Sequence, residues 1–315
     1  MRDAQPRVSI AVPVYNGEKY IAEAVESILG QSYTDFEIII CDNASTDRTE
    51  SICREFAVRD PRVRYVRSQV NRGIHRNFTR GAQLSQGEYF MWLAHDDKLA
   101  PEFLKSCVAV LDAEPDAVLA YPKAIEINDH SDPIAYKEQS LNVSSPRPHE
   151  RFREMMRMEH NCEALFGLLR GAVVRRTGFL GNYADADRVL LAELALYGRY
   201  CRISEFLFLH REHVQRATNV YRTRFERTAS LTPENPERIV FPHFRQFFEY
   251  LRAIQRAPLS WVERIRCGWA TLQWVGQYWK RLLRDANVAA HYVFRRIFSA
   301  RVSEQTPTGT SGRSI

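Results

Sequence analysis

Residues 8–47 read VSIAVPVYNGEKYIAEAVESILGQSYTDFEIIICDNASTD, and the order of apolar periods within them decides the fold. The run 8–14, VSIAVPV, reads as a buried strand, and so does 36–41, FEIIIC. Between them Ile21, Ala24, Val25, Ile28 and Leu29 recur at helical spacing. Strand, helix and strand in that order form a βαβ unit, which makes the two strands parallel.

The pattern continues outward. Asp47 to Glu50 resembles a capping box and opens a helix with Ile52, Cys53 and Phe56 on one face, and VRYV at 63–66 is a short strand. A helical segment over roughly 75–85 leads through Gly87 to a strand at 89–93. Strands alternating with helices of this length predict an α/β fold, a mainly parallel sheet flanked by helices on both faces. The last strand runs straight into WLAHDDKL at 92–99. Two readings of Asp96 and Asp97 stand: acidic groups brought to the sheet rim for a ligand or metal ion, or the acidic start of the helix whose apolar face is Phe103, Leu104, Val108 and Leu111.

Beyond Tyr121 the periodicity weakens, and 122–150, rich in Asp, Ser, Pro and His, reads as a long loop. Order returns over 164–174, then in a helix at 187–197 that stops at Gly198, and in a strand ISEFLFLH at 203–210. Residues from about 220 are expected to be mostly helical, with a disordered tail from about 303.

Composition narrows the classes. The chain has 315 residues, 45% hydrophobic and 26% charged, the balance of a soluble globular protein. No apolar run is long enough to span a bilayer, and the first residues lack the plan of a signal peptide, so a cytoplasmic location is expected. The six cysteines are dispersed without a CxxC pair, which suits free thiols better than bridges or a zinc site. Of the net charge of +6, residues 256–301 supply +7, leaving −1 for the rest. A basic region so confined argues against a nucleic-acid-binding core.

Asp42 and Asn43 follow the second strand directly and so share a rim with Asp96 and Asp97. Carboxylates carried by separate strand ends can accept hydrogen bonds from a base or ribose and hold a divalent cation against a diphosphate; an Asx-type turn cap is the simpler role for Asp42. Neither GxGxxG nor GxxxxGK[ST] follows the first strand.

The succession from VSIAVPVYN to CDNASTD, then NRGIHRNFTRGAQLSQGEYFMWLAHDD, resembles a family 2 glycosyltransferase of the GT-A fold, over roughly residues 7–215. The resemblance implies that Pro13, Tyr15, Asn16, Asp42 and Asn43 meet the nucleoside of a nucleotide-sugar donor and that Arg76 lies near it. The family's DxD element, which binds Mg²⁺ or Mn²⁺ across the diphosphate, falls on Ala94-His95-Asp96, so its first Asp is replaced and Asp96 is left as principal metal ligand. The catalytic base of an inverting transfer falls on Asp187, preceded by Ala186 where the family has Glu, although an Asp here is also an ordinary helix cap. His210-Arg211-Glu212-His213 matches an element near the diphosphate, with Arg211 as a phosphate contact and His213 as a metal ligand or a satisfied structural histidine. The QxxRW element of processive synthases is missing, which implies one sugar added per encounter to a glycan or lipid-linked acceptor. A sugar-nucleotide nucleotidyltransferase fits less well, lacking a Gly-rich basic loop; a non-catalytic scaffold of the same fold is the other alternative, because of Ala94 and Ala186.

The expected organisation is a catalytic domain over 1–220, a basic, Trp-rich helical appendage over 221–302 and the tail 303–315. In the appendage Trp261, Ile265, Trp269, Leu272, Val275, Trp279 and Leu282 fall on one helical stripe. Trp beside Lys and Arg suits an anionic membrane surface contacted through 256–301, and packing on the catalytic domain is the alternative.

Overall fold

The computed structural model describes residues 5–138, 141–157, 162–214, 220, 226, 227, 231 and 241–304, the last sixteen of these by backbone alone. Strands β1 (Val8–Val14), β2 (Phe36–Asp42), β3 (Val63–Arg67) and β4 (Tyr89–Trp92) form the parallel half of one sheet in the order β3-β2-β1-β4. Every residue of β1, β2 and β4 is buried, which is why their sequences show no alternation. Val14 stands opposite Asp42 and Ala11 opposite Trp92, so the loops after β1, β2 and β4 all leave at one rim. The other half comprises β5 (Lys98–Leu99), β6 (Ala117–Ile127), β7 (Pro133–Lys137), β8 (Leu168–Arg170) and β9 (Arg199–Arg211). Beyond β4 the order is β8-β6-β9-β5: β8 is antiparallel to both neighbours, β6 and β9 are parallel, and β7 folds back antiparallel on β6.

Helices cover both faces. Helices α1 (Ile21–Leu29), α2 (Thr49–Arg59) and α4 (Phe103–Ala113) share one core with Ile10 and Val12 of β1 and Ile38 and Ile40 of β2. On the opposite face Ala11, Phe90 and Trp92 join α3 (Ile74–Leu84), α5 (Pro148–Arg157), the short α6 (Gly171–Val174), α7 (Ala186–Tyr197), α8 (Pro242–Arg256) and α9 (Trp261–Glu304). Helix α3 lies directly on β1, since a Cβ built on Gly81 would stand 2.6 Å from that of Ala11. Helices α8 and α9 bury Tyr250, Ile254, Cys267, Ala270 and Trp274 in the same core as α5 and α7.

Two expectations are corrected. Residues 122–150 are not a loop, because β6 runs on to Ile127, β7 returns and α5 begins at Pro148. The Asp, Ser and Pro content belongs to the turn between β6 and β7, where Asn128 Oδ1 accepts from the His130 and Asp132 amides, and to a strand with four of its five residues exposed. Asp96 and Asp97 do not open α4 either, because β5 intervenes and the helix starts at Phe103. The segments 221–225, 228–230, 232–240 and 305–315, on which parts of the expected helical region and tail fall, lie outside the described residues. Among those described, no helix is long and apolar enough to cross a membrane.

Candidate active site

At the rim, the loops after β1 and β2 are laced together. The Asn16 amide, at φ 50°, donates to Ser45 Oγ at 2.9 Å, and Asn16 Oδ1 accepts from the Thr46 amide at 2.9 Å. Asp42 ends β2 fully buried, its Oδ1 accepting from the Ser45 amide and hydroxyl and its Oδ2 from the Tyr65 hydroxyl at 2.5 Å. It therefore makes the Asx-type turn and also shapes the floor of the rim. Burial, and then the Asp42 carboxylate, hold the Tyr65 phenol protonated far above its ordinary range. Asn43 reaches the other way: its Nδ2 donates to Asn71 Oδ1 and Gly73 O, and its Oδ1 accepts from the Arg72 amide. That fixes the loop before α3, with Gly73 at φ 87°, and α3 carries the exposed Arg76 on its first turn. Pro13 is buried opposite Cys41, while Tyr15, 43% exposed, stands at the mouth.

The loop after β4 closes on that after β1. A Cβ on Gly17 would meet His95 Cδ2 and Val14 Cγ2, each at 2.5 Å, so the His95 ring lies where a side chain at 17 would be. The two adjacent aspartates then divide. Asp97, 2% exposed, accepts the Arg211 amide at 2.9 Å and pairs with His210, tying this loop to the end of β9. Asp96 Oδ2 faces His213 Nε2 at 2.9 Å. Burial works to raise the Asp96 carboxyl, but the charge of His95 and the bond and charge of His213 outweigh it and hold the group below the usual carboxylate range. For Asp97 burial prevails over His210, and the carboxyl is pushed up.

The Asp96–His213 pair fits a divalent cation. Two adjacent ligands of an octahedral ion at about 2.1 Å stand about 3.0 Å apart, near the observed separation. Among the described residues no third His, Cys, Asp or Glu joins them, so such an ion would need further oxygens from phosphate or water. Arg211 does not fit its expected part as a phosphate contact. Its Nε donates to Asp96 O, its Nη1 to Asn128 O and Asp129 O, and its Nη2 to Glu23 and Ser131, so every guanidinium N–H is engaged inside the protein. It pins the β6–β7 turn to the Asp96 loop.

Asp187 belongs to a second cluster. Asp185, at φ 63°, precedes α7, and Asp187 Oδ1 accepts the Arg188 amide at 2.8 Å on its first turn, as a helix-start carboxylate does. Its other neighbours escaped the sequence reading. The Cys162 thiol, pushed well up by burial and then by the charge of Asp187, hydrogen-bonds to Asp187. His75, on the first turn of α3, donates from Nδ1 to Gly181 O at 2.7 Å. Desolvation lowers the His75 pKa, against the pull of Asp187 and Asp185. His75 is the residue before Arg76, and its signal was only its place in NRGIHRN. Helix α3 thus joins the two clusters, held by Asn43 at one side and bonded through His75 and Thr79 to the loop before α7 at the other.

Known proteins share this architecture. A structure of S. aureus TarS 1–349 in complex with UDP-GlcNAc superposes with a TM-score of 0.62, covering 91% of this chain and 81% of that one at 16% identity. The mannosyltransferase PcManGT from Pyrobaculum calidifontis, in complex with GDP-Man and Mn²⁺, does so with a TM-score of 0.53 at 18% identity, covering 97% and 82%. These likenesses show the GT-A fold. In sequence, an uncharacterized glycosyltransferase of Haemophilus influenzae is 27% identical over 237 residues, 71% of each chain. The chondroitin synthase of Escherichia coli is 44% identical over 103 residues, 33% of this chain but only 15% of its own length. Residues 9–176, which carry the β1, β2 and β4 loops and the aspartates at their ends, match the family described as Glycosyl transferase family 2, and the chain belongs to that family.

Proposed function

We propose that the chain transfers a single sugar from a UDP- or dTDP-sugar to a hydroxyl of a glycan or lipid-linked acceptor, with inversion, in the cytoplasm. The observation that carries this reading is the meeting of Asp96 and His213, from the ends of two different strands, at the separation of adjacent metal ligands. Mg²⁺ or Mn²⁺ held there would neutralise the departing diphosphate. The exposed Tyr15 ring offers a stacking face for the base, above a floor built by Asp42, Asn16 and Asn43. Asp187, half-buried at the start of α7, takes the proton of the acceptor hydroxyl as its oxygen bonds to the anomeric carbon and the bond to the diphosphate oxygen breaks. Glycosyltransferase structures of this fold hold UDP-GlcNAc in one case and GDP-Man with Mn²⁺ in another, which supports a nucleotide-sugar and a metal here.

The test is binding and turnover measured together. Thermal stability with UDP, dTDP, GDP and CDP, each with and without Mn²⁺, should show a manganese-dependent rise for a uridine or thymidine nucleotide. Asp96→Asn should abolish the manganese dependence. Asp187→Asn should keep nucleotide binding and lower kcat by about 10²–10⁴-fold, the usual weight of a general base. Binding without turnover in the unaltered protein, with any acceptor offered, would sink the catalytic reading.

A further inference from the structure

Helix α9 carries two faces of different kind. Cys267, Ala270, Thr271, Trp274, Leu282 and Asp285 are buried against the rest of the protein. Trp261, Ile265, Trp269, Leu272, Trp279 and Leu283 are 50–73% exposed. At about 100° per residue these six fall within a quarter of the circumference, turned away from the packed face, along roughly 33 Å of helix. A continuous stripe of this kind, three of its six side chains indoles, is not the scattered exposure normal for a surface.

The charges beside it have one sign. Arg266, Lys280 and Arg284 are exposed and lie along one margin of the stripe. The only carboxylates of α9 up to Val288 are Glu263, which meets His149 at 2.8 Å and Arg266 at 3.0 Å, and the fully buried Asp285, which meets His243 at 2.9 Å, so Lys280 and Arg284 face no carboxylate of their own helix. On the same margin a cavity of about 280 Å³ opens between α5 and α9, with Met156 and Trp274 as its apolar lining and Arg153, Arg157, Gln273 and Gln277 as its polar lining. Both arginines are exposed, and among the described residues neither forms an ion pair. A second copy of the chain pairing along this stripe would bring these like charges together.

We infer that α9 lies along the surface of a bilayer containing anionic phospholipid, with the indoles at the level of the headgroups and the Arg153–Arg157 cavity receiving a lipid phosphate. Indole rings seek that interface, and basic side chains beside them add attraction to anionic lipid. The charges of α9 exclude a spanning position, so the helix lies on the bilayer.

Co-sedimentation of the full chain with phosphatidylcholine vesicles, with and without phosphatidylglycerol, tests this. The protein should bind only the anionic vesicles, less at high salt, with a blue shift of tryptophan emission. Lys280→Gln and Arg284→Gln should each weaken partition about fivefold. Arg153→Gln with Arg157→Gln should weaken it further, and Trp261→Ser with Trp269→Ser should abolish it. An unchanged melting temperature in each variant excludes loss of fold. Equal binding to neutral vesicles, no binding to either, or anionic binding that survives the tryptophan pair overturns the inference; unchanged binding in the arginine pair removes the cavity from it. A concentration-dependent dimer dispersed by the same tryptophan substitutions would overturn it in favour of a second copy of the chain.

Discussion

Gly17 carries no side chain because the His95 ring occupies the place where one would stand. The constraint runs through to Asp96, the next residue, whose carboxylate depends on that loop to face His213. Gly17→Ala should therefore push the His95 ring and its loop outward. The expected outcome is loss of manganese-dependent nucleotide binding with little change in melting temperature, since the displaced loop lies at the rim; an unaltered thermal shift with UDP and Mn²⁺ would show that the loop does not need this contact. Rim positions were legible where the chain marks a strand end with an acid, as at Asp42 and Asp96. Arg211 was not, because its partners at 23, 96, 128, 129 and 131 are scattered along the chain and converge only when the β6–β7 turn folds over the rim. The division of labour between Asp96 and Asp97 was hidden for the same reason, since only the end of β9 says which of the two is buried.

Among the elements, α3 ties the Asn43 side of the rim to the loop before α7 through His75 and Thr79, and its depth on the sheet is fixed by Gly81 over Ala11. Gly268, on α9, has open space where its Cβ would be. The same substitution should thus change sign with position. Gly268→Ala should stabilise by about 0.5–1 kcal/mol through helix propensity. Gly81→Ala gains that too, but forces the helix off β1 at about 1–3 kcal/mol of overpacking, so it should lower the urea midpoint where Gly268→Ala raises it. Helices α1 to α4 were readable because burial on one face imposes a helical period on their sequences, and the buried strands because burial on both faces leaves continuous apolar runs. Strand β7 was not, since an exposed edge strand carries no apolar alternation and its Pro133 and neighbouring Asp and Ser read as turn chemistry. Helix α9 was legible as a helix but not in its faces: Val275 and Leu282 belong nearer the packed side, and the true outer stripe closes with Leu283.

For the molecule as a whole, the question is whether α8 and α9 stand apart from the catalytic fold or complete it. Acid should loosen one attachment first. Burial works to raise the Glu263 carboxyl, but the hydrogen bonds from His149 and Arg266 outweigh it, so the folded pKa lies below the ordinary value of 4.5. A depressed carboxylate contributes stability that is present above the unfolded pKa and is lost as pH falls through the folded one. The melting temperature of the unaltered protein should therefore fall below pH 4.5 more steeply than that of Glu263→Gln, which lacks about 1.5–3 kcal/mol of charge-assisted bonding at neutral pH. The stronger test lies in the core. Trp274 of α9 is buried edge-on against Tyr250 of α8, which packs edge-on against Phe152 of α5, in the same apolar cluster as Leu190 and Leu191 of α7, the helix that carries Asp187. A chain of packed rings thus runs from α9 through α8 to α5, inside the apolar cluster that also holds α7. Trp274→Ala should cost about 3–5 kcal/mol, the usual price of emptying a buried indole site. If the helices complete the fold, unfolding in urea followed by circular dichroism and by loss of UDP binding should move down together in this variant. A transition that splits, with nucleotide binding kept at the original midpoint, would show that α8 and α9 unfold by themselves and that Asp187 is positioned without them.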